Sequence, residues 1–134
     1  MKTHLNLRTN NLQQSVAFYR TLLRREPEKQ FGDYALFIAE DPSIELALDA
    51  DDRPVRTGSA HYGLVVQDAR SVDDEIERLQ ADGFQLEIER EETCCYAKQT
   101  KAWANDPDGR RWEIYTVLEE TADREEAGCC NCGC

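Results

Sequence analysis

The feature that most constrains this fold is a duplicated order of elements, each copy opened by a histidine. His4 begins a short alternating strand in the first half, and His61 begins a similar one in the second half. An amphipathic helical segment follows each strand at the same offset. Because histidine is the commonest metal ligand, one in each half indicates a metal held where two similar halves meet.

The first half is predicted to run strand, helix, strand, strand. Alternation of Leu5 and Leu7 predicts a strand over 3–9, and Asn11 is a suitable N-cap for the helix that follows. Apolar residues at helical spacing then extend to Leu23. Further strands are predicted over 34–39 and 43–48, separated by a turn at Pro42.

The second half repeats this order after a polar linker over 50–59. A strand is predicted over 60–67, followed by a helix that Ser71 caps and Gly83 closes. Phe84, Leu86 and Ile88 alternate as a strand. Another strand ends at residue 104, the segment 105–109 is a turn by composition, and the last strand covers 111–117.

The spacing of matched segments locates an insertion in the second half. The two histidines are 57 positions apart, whereas Ala39-Glu40-Asp41-Pro42 matches Ala104-Asn105-Asp106-Pro107 at a distance of 65. The second half therefore carries eight extra residues between its helix and that turn. The adjacent Cys94 and Cys95 lie in this stretch, and extensions of this kind commonly carry specificity.

Strand alternation selects four polar residues that lie opposite the apolar face of their strands: His4, Glu45, His61 and Glu113. If each half curls its sheet into a cup, these side chains converge. Imidazole and carboxylate suit Fe(II), Mn(II), Ni(II), Zn(II) or Co(II). Two histidines and one carboxylate would leave positions open for substrate and dioxygen. Two histidines and two glutamates would make a more closed site for Lewis-acid and proton-transfer chemistry.

Charge and cysteine distribution restrict the partners and the compartment. A net charge of −11, from 16 basic and 27 acidic residues, disfavours nucleic acid and anionic membranes as partners. The first residues carry no apolar run typical of a signal peptide, and no stretch approaches the roughly 20 apolar residues of a membrane span. A cytoplasmic location is expected, so the clustered cysteines are interpreted as thiols for soft metals or metalloids. The cysteines are Cys94, Cys95, Cys129, Cys130, Cys132 and Cys134.

Several motifs resemble those of the vicinal oxygen chelate superfamily, which includes glyoxalase I, bleomycin-resistance proteins and extradiol dioxygenases. The resemblance covers roughly residues 2–118. It implies an α+β fold of paired βαβββ modules, about 1–50 and 58–118, which form a cupped eight-stranded mixed sheet in one domain over 1–118. An acidic and then Cys-rich tail occupies 119–134. The ligand positions of the superfamily map onto His4, Glu45, His61 and Glu113. The motifs are His4-Leu5-Asn6-Leu7-Arg8, Asn11-Leu12 with Ser15 and Phe18-Tyr19, and Asp106-Pro107-Asp108-Gly109 with Trp112-Glu113.

Two segments resemble a narrower group, the carbon–arsenic lyases and the related cadmium-induced proteins. The lyases are Fe(II)-dependent dioxygenases that break the C–As bond of trivalent organoarsenicals. The resemblance implies that Cys94 and Cys95 bind arsenic and that His4, His61 and Glu113 hold Fe(II). Glu45 has no acidic counterpart in the lyases and is either a weak fourth ligand or a neighbouring polar group. The segments are Thr93-Cys94-Cys95-Tyr96-Ala97 and Trp112-Glu113-Ile114-Tyr115-Thr116-Val117.

Three functions are therefore expected, of which the first is preferred. The first is a C–As lyase that uses dioxygen and a trivalent organoarsenical. The second is a glyoxalase-type isomerase with Ni(II), Zn(II), Co(II) or Mn(II), because Ile44-Glu45-Leu46 resembles glyoxalase I. The third is a non-enzymatic protein that sequesters cadmium or arsenite through its thiols. Members of the superfamily often form dimers, and the resemblance therefore implies a possible homodimer.

Overall fold

The computed structural model describes residues 1–94 and 96–120, with the side chains of all of these except residues 93 and 94. The chain divides into two units, of which the first comprises residues 1–58 and 106–109. The first unit confirms the predicted strands and helix and adds a short strand, β2, that was not predicted. Its elements are β1 (Thr3–Thr9), α1 (Leu12–Leu23), β2 (Lys29–Gln30), β3 (Tyr34–Glu40) and β4 (Ser43–Ala50).

Helix α1 begins at the predicted cap. Asn11 is extended, with φ −144°, and its side chain accepts a hydrogen bond from the Gln14 amide at 3.0 Å. This bond satisfies one of the amide groups that every helix leaves free at its start. Val16, Tyr19 and Leu22 are buried along one side of the helix. The 3.6-residue period in the sequence therefore marked the core face of α1 correctly.

The second unit holds residues 59–105 and those described from 110 onward. It repeats the order strand, helix, strand, strand, strand. Its first strand is shorter than predicted, and its last strand runs three residues further. Its elements are β5 (His61–Val65), α2 (Ala69–Ala81), β6 (Glu87–Cys94), β7 (Ala97–Asn105) and β8 (Arg111–Glu120).

Each unit forms a four-stranded mixed sheet of the same topology. The orders are β1-β4-β3-β2 and β5-β8-β7-β6, and in each sheet the first pair is parallel and the others are antiparallel. The predicted α+β fold of paired βαβββ modules with eight strands is thereby confirmed. The parallel pair sets the opening strand of each module beside its closing strand. That pairing determines which side chains can form a site.

The turn over 106–109 belongs to the first unit although it joins β7 to β8. The Tyr19 hydroxyl donates a hydrogen bond to the buried Asp106 carboxylate at 2.5 Å, and the Asn10 amide donates to Asp108 at 2.8 Å. Gly109 closes the turn with φ +87°, a conformation that L-residues with side chains rarely adopt. The turn predicted from composition is therefore also a tether to the start of α1.

The start of helix α2 corrects the sequence prediction. The N-cap is Asp68 rather than Ser71, because the Asp68 carboxylate accepts hydrogen bonds from both the amide and the hydroxyl of Ser71, each at 2.8 Å. These bonds hold the pKa of Asp68 below its usual value. Val72, Ile76 and Leu79 face the core as predicted. The helix ends at Ala81, with Gly83 just beyond in a positive φ of 90°.

Strand β6 was placed too early by its hydrophobic alternation. The strand runs over 87–94 rather than 84–88, because its glutamate-rich sequence pairs with β7. Strands β6 and β7 have 8 and 9 residues, against 2 and 7 in β2 and β3. The hairpin over 87–105 is seven residues longer than the one over 29–40, so it accounts for seven of the eight extra residues of the second half. A bulge interrupts it between Glu89 and Glu92, where the Glu91 amide donates to the Thr100 hydroxyl at 3.1 Å.

Among the described residues, neither helix is long and apolar enough to cross a membrane.

Candidate functional site

Two of the four residues that strand alternation selects, His4 and Glu45, lie beside each other in the first unit. His4 on β1 lies directly opposite Glu45 on β4, and the distance from His4 Nδ1 to Glu45 Oε1 is 3.7 Å. Leu46 and Leu48 point to the opposite face of β4 and are fully buried, as strand alternation predicted. The two polar side chains are 55% and 40% exposed. The pair is thus an accessible donor set in high-dielectric surroundings.

The other two, His61 and Glu113, lie beside each other in the second unit, where the carboxylate is far less exposed. The distance from His61 Nε2 to Glu113 Oε1 is 3.6 Å, and the Glu113 side chain is only 8% exposed. A buried carboxylate needs a compensating charge or hydrogen bonds, because desolvation of the ionised form is costly. The sequence prediction had treated Glu113 as an outward-facing strand residue and had not named such a partner.

Lys101 on β7 is that partner. Its ammonium donates to Glu113 Oε2 at 2.9 Å, and the residue is 3% exposed. The ammonium also lies 5.3 Å from the Trp103 ring centroid and 5.5 Å from that of Tyr115. Since Lys101 holds Oε2, the other oxygen of Glu113 remains directed to His61. The signal in the sequence was a lysine in the middle of a strand. A lysine buried in the interior of a sheet almost always has a charged partner.

The two parallel pairs differ in register by two residues, and a glycine accommodates the difference. His4 is opposite Glu45, whereas the residue opposite Glu113 is Gly63, two positions beyond His61. A Cβ at Gly63 would lie 3.2 Å from Glu113 Oε1 and 3.0 Å from a ring carbon of Tyr115. Glycine therefore leaves the space through which Glu113 reaches diagonally to His61.

The substitution Gly63→Ala tests this role. We expect the added methyl group to displace the Glu113 carboxylate from His61, weaken binding of a divalent cation and lower the free energy of unfolding by about 1–3 kcal/mol. Gly32→Ala is the matched control, since a Cβ there meets nothing within 4 Å. Urea unfolding and Mn(II) titration of both variants measure the two effects. Unchanged Mn(II) affinity in Gly63→Ala would contradict the assignment.

Aromatic rings surround the second pair. Trp103 packs edge-on against His61, with ring centroids 5.3 Å apart, and the guanidinium carbon of Arg111 lies 4.2 Å from the Trp103 centroid. Burial, reinforced by the negative charge of Glu113, raises the pKa of Tyr115. The phenol is therefore neutral at physiological pH and offers its ring face to Lys101. These rings lower the local dielectric around the His61–Glu113 pair.

Two buried polar atoms near this cluster have no hydrogen-bond partner among the described residues. They are Glu89 Oε2 and the Trp103 indole nitrogen. Glu89 is 7% exposed and lies opposite Lys101 in the β6–β7 register. Unsatisfied buried polar atoms are uncommon, because each costs about 1–3 kcal/mol. Lys101 thus pairs with Glu113, while the second buried carboxylate beside it, Glu89, keeps an oxygen without a partner among the described residues.

The donor set fits a divalent cation. Imidazole nitrogen and carboxylate oxygen bind such ions at about 2.1 Å, so two donors up to roughly 4.2 Å apart can share one ion. Both His–carboxylate distances meet this limit. In the part of the chain that the structure describes, no group of three or more His, Cys, Asp or Glu side chains is placed to hold a metal. The four-residue set His4, Glu45, His61 and Glu113 stays a prediction, of which each unit supplies one pair.

Of the two cysteines predicted to bind arsenic, the structure describes the backbone of Cys94 only. Cys94 is the last residue of β6 and pairs in register with Ala97, the first residue of β7. Cys95 lies outside the described residues, as do the four cysteines of the tail over 129–134. The role of these thiols remains a prediction.

Two βαβββ units, each with a His–carboxylate pair on its parallel strands, define the vicinal oxygen chelate fold. Residues 3–114 match the Glyoxalase/Bleomycin resistance protein/Dioxygenase superfamily, and the chain belongs to it. A crystal structure of a glyoxalase/bleomycin resistance protein/dioxygenase from Alicyclobacillus acidocaldarius has a TM-score of 0.72 at 17% identity. The match covers 89% of this chain and 92% of that one.

Two relatives are similar along most of their length. The chain is 34% identical to the trivalent organoarsenical cleaving enzyme of Bacillus sp. (strain MD1), over 96% of this chain and 82% of the relative. It is 35% identical to the cadmium-induced protein CadI of Mycobacterium bovis, over 97% of this chain and 93% of the relative. The resemblance to both named groups is thereby confirmed.

Proposed function

We propose that this protein is an Fe(II)-dependent dioxygenase that cleaves the C–As bond of trivalent organoarsenicals in arsenic detoxification. The observation that carries this proposal is the likeness to the Bacillus organoarsenical cleaving enzyme along 96% of the chain. The His61–Glu113 pair supports it, because it is a donor set for a divalent ion in which the carboxylate is buried and oriented by Lys101. The proposed setting is the cytoplasm, where thiols stay reduced.

The proposed ligand set is His4, His61 and Glu113, with Glu45 beside His4 as a further oxygen donor. Fe(II), when bound, supplies activation of dioxygen through positions that three protein ligands leave open. Lys101 orients Glu113 by holding its second oxygen at 2.9 Å. Partners of this kind, next to a ligand, fix its geometry and tune its affinity for metal.

The proposed role of Cys94 and Cys95 is to bind the arsenic of the substrate. As(III) is thiophilic, so a pair of thiolates selects it over hard oxygen ligands. Because the two thiols are on adjacent residues of the sequence, they form such a clamp with little further ordering. A clamped arsenical presents its C–As bond in a fixed orientation, which is a positioning contribution to the rate.

Arsenite release from methylarsenite by the reduced, Fe(II)-loaded protein tests this function. Release that depends on dioxygen is expected, and absence of release would reject the proposal. Cys94→Ser and Cys95→Ser should each lower kcat/KM by about 100-fold, because the reacting bond loses its orientation. Cys132→Ser is the control, since it removes a thiol outside the hairpin. Full activity after loss of the Cys94 thiol would refute the arsenic-binding role.

A second candidate is thiol-dependent sequestration of cadmium or arsenite, favoured by the 35% identity to CadI over 97% of the chain. This function predicts tight Cd(II) binding and no reaction product. The His61→Ala variant should bind Cd(II) as tightly as the wild type does. An isomerase would instead convert methylglyoxal and glutathione with Ni(II) or Zn(II). It would be indifferent to the loss of both Cys94 and Cys95.

A further inference from the structure

Glu89 is a buried carboxylate that the proposed function does not use. It is 7% exposed, and its Oε2 atom has no hydrogen-bond partner among the described residues. The antiparallel register of β6 and β7 places Glu89 directly opposite Lys101. Directly opposite residues of antiparallel strands have Cβ atoms about 4.5–5.5 Å apart and share a face of the sheet. A flexible lysine side chain can therefore reach this carboxylate.

Lys101 thus lies between two buried carboxylates on neighbouring strands. On the β8 side its ammonium is 2.9 Å from Glu113 Oε2. On the β6 side Glu89 stands opposite it without a partner for Oε2. The single ammonium, itself 3% exposed, satisfies only one of the two in this structure.

We propose that Glu89 is a positioning residue that accepts the Lys101 ammonium when a divalent cation occupies Glu113. A cation on Glu113 Oε1 would stand close to the ammonium on Oε2, and the surrounding rings make this repulsion strong. Movement of the ammonium to Glu89 removes the repulsion and pairs the orphan carboxylate. Lys101 then serves as the counter-charge of Glu113 before metal binds and of Glu89 afterwards. This inference depends on the metal site of the proposed function but not on its arsenical chemistry.

Mn(II) titration of the full-length, reduced protein by calorimetry tests the exchange. Mn(II) is chosen because it prefers oxygen and imidazole ligands to thiolates. Glu89→Gln is expected to weaken Mn(II) binding by about tenfold, because Lys101 loses its alternative partner. The variant removes an unpaired buried charge, so folding should be retained. Glu91→Gln, on the same strand and exposed, is the matched control and should bind as the wild type does.

A double-mutant cycle separates the exchange from a simple loss of negative charge. Lys101→Gln keeps a hydrogen-bond donor for Glu113 but removes the charge that must move. In that background Glu89→Gln should no longer alter Mn(II) affinity. A tenfold loss that persists would show that Glu89 acts on the cation directly and would overturn the exchange. With Lys101 retained, Glu89→Asp should restore the Mn(II) affinity that Glu89→Gln loses, and this result would support the exchange.

The outcomes also distinguish this inference from the proposed function. Equal Mn(II) affinity of the wild type and Glu89→Gln overturns the exchange and leaves the metal site intact. Wild-type protein that binds no Mn(II), or binding that survives Glu113→Gln, overturns both the site at Glu113 and the exchange. A tenfold loss confined to Lys101-containing variants supports both.

Discussion

Replacement of His61 by alanine is expected to lower arsenite release from methylarsenite by more than about 100-fold. Loss of residues that merely support a metal ligand commonly costs 10–100-fold in affinity or activity, and loss of a ligand itself should exceed this. His61 Nε2 stands 3.6 Å from Glu113 Oε1, so the variant removes one of the two donors of the buried pair. Glu113→Gln should have a similar effect, because the amide is a neutral and weaker donor. Single-turnover assays with stoichiometric Fe(II) measure the loss.

Two further variants define what this result means. Glu119→Gln, on the same strand as Glu113 and exposed, should retain full activity. Glu45→Gln should retain most activity if the iron is held by His4, His61 and Glu113. Complete loss in Glu45→Gln would make Glu45 a ligand and move the site toward isomerase chemistry. Wild-type rates in His61→Ala would instead leave thiol-dependent sequestration as the better account.

Alternation in the strands of the sequence selected the four residues of the two His–carboxylate pairs, because each strand has one apolar face that must meet a helix. Leu46 beside Glu45, and Trp112 and Ile114 around Glu113, are buried as that argument requires. The helices α1 and α2 were also located well, because the 3.6-residue period of their apolar residues is a local pattern. The residues proposed as metal ligands could thus be selected from the sequence.

What the sequence did not reveal depends on contacts between strands. Lys101 could not be named as the partner of Glu113 until the β7–β8 register brought them to 2.9 Å. Strand β6 was misplaced because Glu87 to Glu92 lacks the alternation typical of strands, and its pairing with β7 overrides that weak local preference. Gly63 resembled an ordinary strand glycine, and only the two-residue shift in register explains it.

Lys101→Met is expected to destabilise the second unit strongly. It leaves Glu113 buried without its cation, and breaking a buried pair from one side commonly costs about 3–5 kcal/mol. The side chains are 4% and 8% exposed, so solvent cannot replace the lost ammonium. The measurement is urea unfolding in EDTA at neutral pH, because a bound metal would substitute for the missing charge.

The double variant Lys101→Met with Glu113→Leu should recover most of that loss, since residue 113 is then apolar and is no longer a buried charge without its cation. Lys98→Met is the matched control on the same strand, and it should change stability by less than about 0.5 kcal/mol. Recovery in the double variant would show that the pair sustains the function of the site rather than the stability of the fold. If Lys101→Met unfolds at the same urea concentration as Lys98→Met, the ion pair does not hold Glu113, and both the orientation of its carboxylate and the exchange with Glu89 must be abandoned.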